Sequence, residues 1–190
     1  MGAKKVLGLA LCGSYCTYDK LFSAAKELAD KYDIVPIMSE NAAETDTRFG
    51  TAVENIKRLM AISGKRVTCT IDEAEPLGPK YQMDILLIAP CTGNTLAKLA
   101  NGITDTAVTM AAKAHLRNDR PLLIALSTND GLSGSAENIG KLLNRKNIYF
   151  VPFGQDDPKN KPHSLQADFS LLEESLSAAL TGQQIQPIIK

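Results

Sequence analysis

Ile85-Leu86-Leu87-Ile88-Ala89-Pro90-Cys91-Thr92-Gly93-Asn94-Thr95 joins an apolar run to a small, polar turn that opens a helix. Residues 85–89 have the length and branched side chains of a strand buried on both faces, with Pro90 expected to stop it. Thr92, Gly93, Asn94 and Thr95 carry hydroxyl and amide groups, and the helical spacing Leu96, Leu99, Ala100, Ile103 follows at once. The first N–H groups of such a helix lack intrahelical acceptors, and its aligned peptide dipoles favour anions. The turn therefore suits a phosphate or an electron-rich ring, and equally an ordinary N-cap.

Outward from this stretch the pattern repeats. Residues 6–11 read as a first buried strand, and Cys12-Gly13-Ser14-Tyr15-Cys16-Thr17 turns into a helix patterned Leu21, Phe22, Ala25, Leu28, Ala29. Residues 34–38 read as a second strand, at a sheet edge because Pro36 has no N–H to give, and Ser39 ends it. Residues 41–64 pattern as one helix with cap candidates Thr45, Asp46 and Thr47, residues 67–71 as a short strand or extended link, and residues 72–80 as a loop. Residues 106–116 predict a helix, and residues 122–126 a buried strand leaving through Ser127-Thr128-Asn129-Asp130-Gly131. A helix over 134–143, a strand over 148–151, a long polar loop over 152–162 and a last helix over 165–180 follow. The expected domain spans residues 1–182, with 183–190 a frayed tail.

Strands alternating with helices predict an α/β fold, a three-layer open parallel sheet of Rossmann-like type in a single domain. All strand carboxyl ends then share one edge, where ligands bind. The polar exits Gly13-Ser14, Ser39, Thr92 to Thr95 and Ser127-Thr128 are expected to converge there. They contain no charged catalytic pair, so the pattern describes a binding pocket better than a hydrolytic site. A G-x-G-x-x-G or P-loop lysine pattern is missing, which counts against a dinucleotide or ATP.

The 190 residues are 44% hydrophobic and 5% aromatic without tryptophan, so the core should be aliphatic. Lys plus Arg and Asp plus Glu both number 21, a net charge of zero that counts against nucleic acid. Cys12, Cys16, Cys69 and Cys91 lie in or beside apolar segments, form no CxxC pair and stand far from His115 and His163. No metal site is expected, and a reducing cytoplasm is. No apolar run approaches the ~20 residues of a membrane span.

On these motifs the chain resembles the flavin-binding family of phosphopantothenoylcysteine decarboxylases and flavin prenyltransferases. Pro90-Cys91-Thr92-Gly93-Asn94-Thr95 stands where the decarboxylases carry P-A-S-A-N-T, and Gly102, Asp105, Thr109, Ala111 and Ala112 follow a pattern similar to the prenyltransferases. Ser127 to Leu132 together with Val151-Pro152-Phe153-Gly154-Gln155-Asp156-Asp157 and Lys161-Pro162 resemble the dipicolinate synthase branch in particular. The resemblance implies a flavodoxin-like sheet binding FMN at subunit boundaries of a homotrimer, which can assemble further into a dodecamer. It implies Gly13 and Ser14 as the phosphate-side turn, Ser39 as a further hydroxyl, and Thr92, Gly93, Asn94 and Thr95 as the flavin-contacting turn, with Ser127 and Thr128 beside them. It also implies a nicotinamide-binding A subunit as partner and a small dicarboxylate substrate. The resemblance further implies pyridine-2,6-dicarboxylate as the product, made from a tetrahydrodipicolinate-type precursor by an oxidoreductase-type synthase in the mother-cell cytoplasm of a sporulating bacterium.

The sequence departs from the family in three places. Ser127 replaces an arginine near the FMN phosphate, no histidine precedes His115, and Ser127-Thr128-Asn129-Asp130 replaces a P-x-M-N signature. Asp130 is thus either a candidate catalytic residue or a loop cap. A catalytically silent binding or scaffold subunit is the alternative expectation, and an FMN-dependent decarboxylase or prenyltransferase a weaker one.

Overall fold

The first strand, β1 (Lys5–Leu11), passes through a 3-10 turn at Tyr15–Thr17 into helix α1 (Tyr18–Lys31) and edge strand β2 (Tyr32–Met38). This computed structural model describes residues 3–78 and 82–190. Three helices follow, α2 (Glu40–Glu44), α3 (Ala52–Ser63) and α4 (Ile71–Ala74), and then β3 (Ile85–Cys91). Next come α5 (Gly93–Asn101), α6 (Ala107–Leu116), β4 (Leu122–Thr128), α7 (Ala136–Leu143) and β5 (Ile148–Phe150). Two short strands, β6 (Phe153–Gly154) and β7 (Leu165–Ala167), precede the last helix, α8 (Leu172–Leu180).

The seven-stranded sheet runs β2-β1-β3-β4, and β4 then forks. Leu122, Leu123 and Ile124 pair in parallel with β5, whereas Ser127 and Thr128 pair antiparallel with β7, which carries β6. The α/β reading with a mostly parallel sheet holds, and β6 and β7 add an antiparallel flank to it. Helices flank the sheet: Lys31 of α1 pairs with Glu173 of α8, while α5 touches both α6 and α7. Every residue of β3 is buried, which is why its sequence is a continuous aliphatic run. Each such Leu or Ile contributes roughly 1.5–3 kcal/mol by leaving water.

Several sequence expectations need correction. Pro90 does not stop its strand: β3 continues to Cys91, with the pairing to β4 shifting register between Ile88 and Cys91. That irregularity takes up a residue that has no N–H for the ladder. Residues 41–64 are two helices rather than one, because Thr47 and Gly50 exchange backbone hydrogen bonds of 3.0 and 3.1 Å in a turn between them. Thr51 caps α3 in a reciprocal box with Glu54, and the candidates Thr45 and Thr47 do not. The polar segment after residue 70 is helical, α4 followed by a 3-10 turn at Glu75–Leu77, with Pro79 and Lys80 outside the described residues. Thr68 meets the edge of β2, giving its N–H to Pro36 O at 3.0 Å and accepting from Met38 N at 2.9 Å.

The region expected as loop and then helix begins as β6 and β7, and residues 183–190 are fastened rather than frayed. Gln184, with an acceptor and donors on one amide, takes the Phe150 N–H and donates to the Phe150 carbonyl, each at 2.7 Å. Ile189 bridges to Phe153.

Candidate functional site

From β1 the chain passes through α1 to β2 on one side, while β3 pairs with β1 on the other, so the connections part between β1 and β3. In parallel sheets of this order ligands sit outside the carboxyl ends at that point. A cavity of about 310 Å³ opens there. This is the small end of the range for ligand sites.

Three strand tips form its walls. At the β3 tip, Thr92 caps α5 by accepting the Thr95 N–H at 3.2 Å, and helix geometry leaves Gly93 and Asn94 N–H without intrahelical acceptors. The buried Thr95 hydroxyl donates to Cys12 Sγ at 3.2 Å, stitching β3 to β1 across the floor. Burial pushes the Cys12 thiol up to about 11 and raises that of Cys91 well above the usual range, so both remain protonated at neutral pH. Cysteine nucleophilic chemistry has no footing at that floor.

At the β1 tip, Gly13 lies against Thr92, where a Cβ would stand 3.3 Å from its methyl. Ser14 adopts a left-handed backbone, φ 65°, and its hydroxyl donates to Ser127 O at 2.7 Å. Its proton is therefore committed to holding the β1 tip beside β4. Tyr15 crosses to the β2 tip, donating to Asn41 O at 2.8 Å. There Ser39 is buried; its N–H reaches Leu11 O at 2.9 Å and its hydroxyl accepts from Ala42 N at 3.3 Å, starting α2.

The fourth tip does not open into the cavity. Asp130 accepts from the Thr128 hydroxyl and, at 2.9 Å, from the Ser135 hydroxyl, while its carbonyl accepts N–H groups from Ser133 and Ser135. The Thr128 hydroxyl foremost, and then that of Ser135, hold the Asp130 carboxyl below its ordinary range against some desolvation. Asp130 thus closes a turn. Gly93 faces this cluster: a Cβ on it would stand 2.7 Å from both Ser135 Oγ and Thr128 Oγ1, and 2.9 Å from Asp130 Oδ1. Of the expected residues the cavity gathers Gly13, Ser39, Thr92, Asn94 and Thr95. Ser14, Gly93, Ser127, Thr128 and Asp130 do not line it and instead brace it from behind.

Two charged lining residues were missed by sequence reading. Glu40 opens α2, with Oε1 accepting the Ala107 N–H of α6 at 3.2 Å. Lys98 pairs with Asp105 at 2.8 Å and thereby lowers that carboxyl's pKa. The available signals were Glu40 directly after Ser39 at a strand end, and Lys98 one turn beyond Asn94 on the same helix face. The histidines stand elsewhere. His115 is buried with Nε2 2.9 Å from Pro121 O, and burial lowers its pKa to about 4; His163 is exposed. Among the described residues no group of three or more His, Cys, Asp or Glu could hold a metal, and no helix is long and apolar enough to cross a membrane.

Residues 1–168 match the family described as Flavoprotein. The chain belongs to the Flavoprotein family. Within that family it is 45% identical over 186 residues to the dipicolinate synthase B subunit of Bacillus subtilis (strain 168), covering 97% of this chain and 93% of the relative. The crystal structure of the dipicolinate synthase B subunit from Bacillus halodurans matches it with a TM-score of 0.90 at 42% identity, over 99% of this chain and 97% of that one. The FMN-dependent cysteine decarboxylase SpaF shares the flavoprotein fold alone, with a TM-score of 0.66 at 22% identity, covering 94% of this chain and 97% of that one.

Proposed function

We propose that this flavoprotein-family chain is the B subunit of a dipicolinate synthase. It works with a nicotinamide-binding A subunit to convert a tetrahydrodipicolinate-type precursor to pyridine-2,6-dicarboxylate in the mother-cell cytoplasm of a sporulating bacterium. The observation that carries the reading is the cavity at the β1 and β3 tips, in a chain with 45% identity to a dipicolinate synthase B subunit over nearly its whole length. As a homo-oligomer, trimeric or dodecameric, it would present several such cavities to its partner.

The lining fits a flavin of the FMN type. Gly13 offers a close approach, Thr92 and Ser39 supply hydroxyls, Asn94 supplies an amide, and the start of α5 supplies peptide N–H groups for an anionic tail. A bound flavin would supply a two-electron acceptor for the ring oxidation. The chain's own residues then have positioning roles. Asn94 and Thr92 would hold the ring, Thr95 fixes the floor against β1, and the helix start would hold negative charge without an arginine. Histidine-dependent decarboxylation has no support here, since His115 is committed to the fold and His163 stands on a loop away from the cavity.

The visible spectrum of the purified chain tests the flavin part: a flavin band, or a shifted FMN spectrum on titration, is expected. Neither band nor shift, even with FMN in excess, would sink it. A second reading is favoured by the commitment of Asp130 to its turn: the chain binds and shields the substrate while the partner's nicotinamide accepts the hydride. Dipicolinate formation assayed with the A subunit separates the two. An Asn94→Ala loss of tenfold or more supports a working site, and unchanged turnover supports a scaffold.

A further inference from the structure

Two charged side chains border the cavity, each on a helix that begins at a strand tip. Glu40 is the first residue of α2, and Lys98 lies in the second turn of α5. Among the described residues no ion pair joins them; Lys98 turns to Asp105 at 2.8 Å, and Glu40 Oε1 to the Ala107 N–H at 3.2 Å. Both fields reach the same point. The thiol of Cys12 on the cavity floor is pushed up by the charge of Glu40 and down by that of Lys98, beneath the larger effects of burial and of its hydrogen bonds. One negative and one positive group thus act on a single small space without neutralising each other.

Neither existing partnership bars a ligand. The Asp105 side chain is 57% exposed, and ion pairs with such a partner are worth about 0–1 kcal/mol. A carboxylate lodged inside the cavity, less screened by water, competes well for the ammonium. Glu40 uses only Oε1, and its other oxygen makes no hydrogen bond among the described residues.

We propose that Glu40 and Lys98 select a small ring bearing a carboxylate beside a protonated or N–H-bearing nitrogen, and thereby distinguish a reduced ring from its aromatic product. This rests on the second reading above, in which the cavity holds the substrate ring, so that FMN bound there competes with the ring acids. Lys98 takes the carboxylate and Glu40 accepts from the ring nitrogen. Once the ring is aromatic its nitrogen has lost that hydrogen and turns a lone pair toward the Glu40 carboxylate. Glu40 then repels the oxidised ring and assists its departure, whereas Lys98 holds both forms alike.

Isothermal titration calorimetry on the full chain at pH 7.5, with and without FMN, tests this with two probes. Piperidine-2,6-dicarboxylate carries a ring ammonium, and pyridine-2,6-dicarboxylate carries the same carboxylates around a bare nitrogen. The piperidine acid is expected to bind about tenfold tighter or more, the lower end for a hydrogen bond to a charged group. Glu40→Gln should shrink that ratio to within about twofold, and Lys98→Met should weaken both probes about tenfold while preserving the ratio. Equal affinities in the unaltered chain overturn the proposal with no variant needed. So does a ratio that survives Glu40→Gln in a variant of unchanged melting temperature, or Lys98→Met leaving both affinities intact. If neither ring acid binds while FMN does, this inference falls and the flavoprotein reading stands; if FMN also fails to bind, both fall.

Discussion

Two tips of one sheet carry nearly the same chemistry and end differently. After β3 come Thr92, Gly93, Asn94 and Thr95; β4 ends in Ser127 and Thr128 and leads into Asn129 and Asp130. At the β3 tip Thr92 caps α5 and Asn94 stays exposed beside the cavity. At the β4 tip the groups satisfy one another, with Thr128 and Ser135 donating to Asp130 and Ser127 paired to β7. The cause is the element that each strand leads into. β3 runs straight into a nine-residue helix, which leaves peptide donors without acceptors, whereas β4 enters an antiparallel pairing and a closed turn. Polar composition marks a strand end, and the next element decides whether that end can bind anything.

The largest effect is expected where the tips touch. Gly93→Val drives a branched side chain into atoms that would already stand 2.7 Å from a bare Cβ. A loss of about 3 kcal/mol in urea unfolding should result, together with loss of ligand binding. A variant as stable as the parent would show that the two tips move independently.

Next in size is a pH effect at the far end of β4, where His115 reaches Pro121 O. Burial lowers the His115 pKa from 6.5 to about 4, so the unfolded chain binds a proton that the folded chain refuses. Stability therefore falls as pH drops below 6.5 towards 4, by about 2 kcal/mol between pH 8 and pH 5. His115→Gln should flatten this part of the urea-midpoint profile and leave ligand affinity at pH 8 unchanged. An identical slope in the variant would assign the pH sensitivity to other groups.

The smallest effects discriminate most sharply. Asp130→Ala and Thr92→Val should each cost about 1 kcal/mol, the first through lost hydrogen bonds and the second through a lost helix cap. Only Thr92→Val should weaken FMN or ring-acid binding in titration. Comparable weakening by Asp130→Ala would return the β4 tip to the site.

Much of this was legible in the sequence for definite reasons. Residues 85–88 and 122–126 could be read as buried parallel strands because burial on both faces demands uninterrupted aliphatic runs. Ser39 and the turn from Thr92 to Thr95 could be placed at one edge because parallel connections put all carboxyl ends together. The β6 and β7 pairing was hidden, since strands of two and three residues carry no periodicity. Glu40 and Lys98 were hidden because charged residues on helices pattern as solvated faces; only the chain's path brings α2 and α5 to one cavity. Ser127, Thr128 and Asp130 were legible by composition, but their bonding was not. Their composition resembles a binding turn, and their hydrogen bonds turn it inward.

The fork in β4 makes one flank of the sheet unlike the other. Its beginning is paired to β5 and its end to β7, so every described segment of that flank is tied into the sheet. On the β2 side the cavity is lined by Glu40, Asn41 and Thr45, at the five-residue α2 and its exit. A neighbouring subunit seated over α2 would cover that lining, and one seated over β7 would leave it bare.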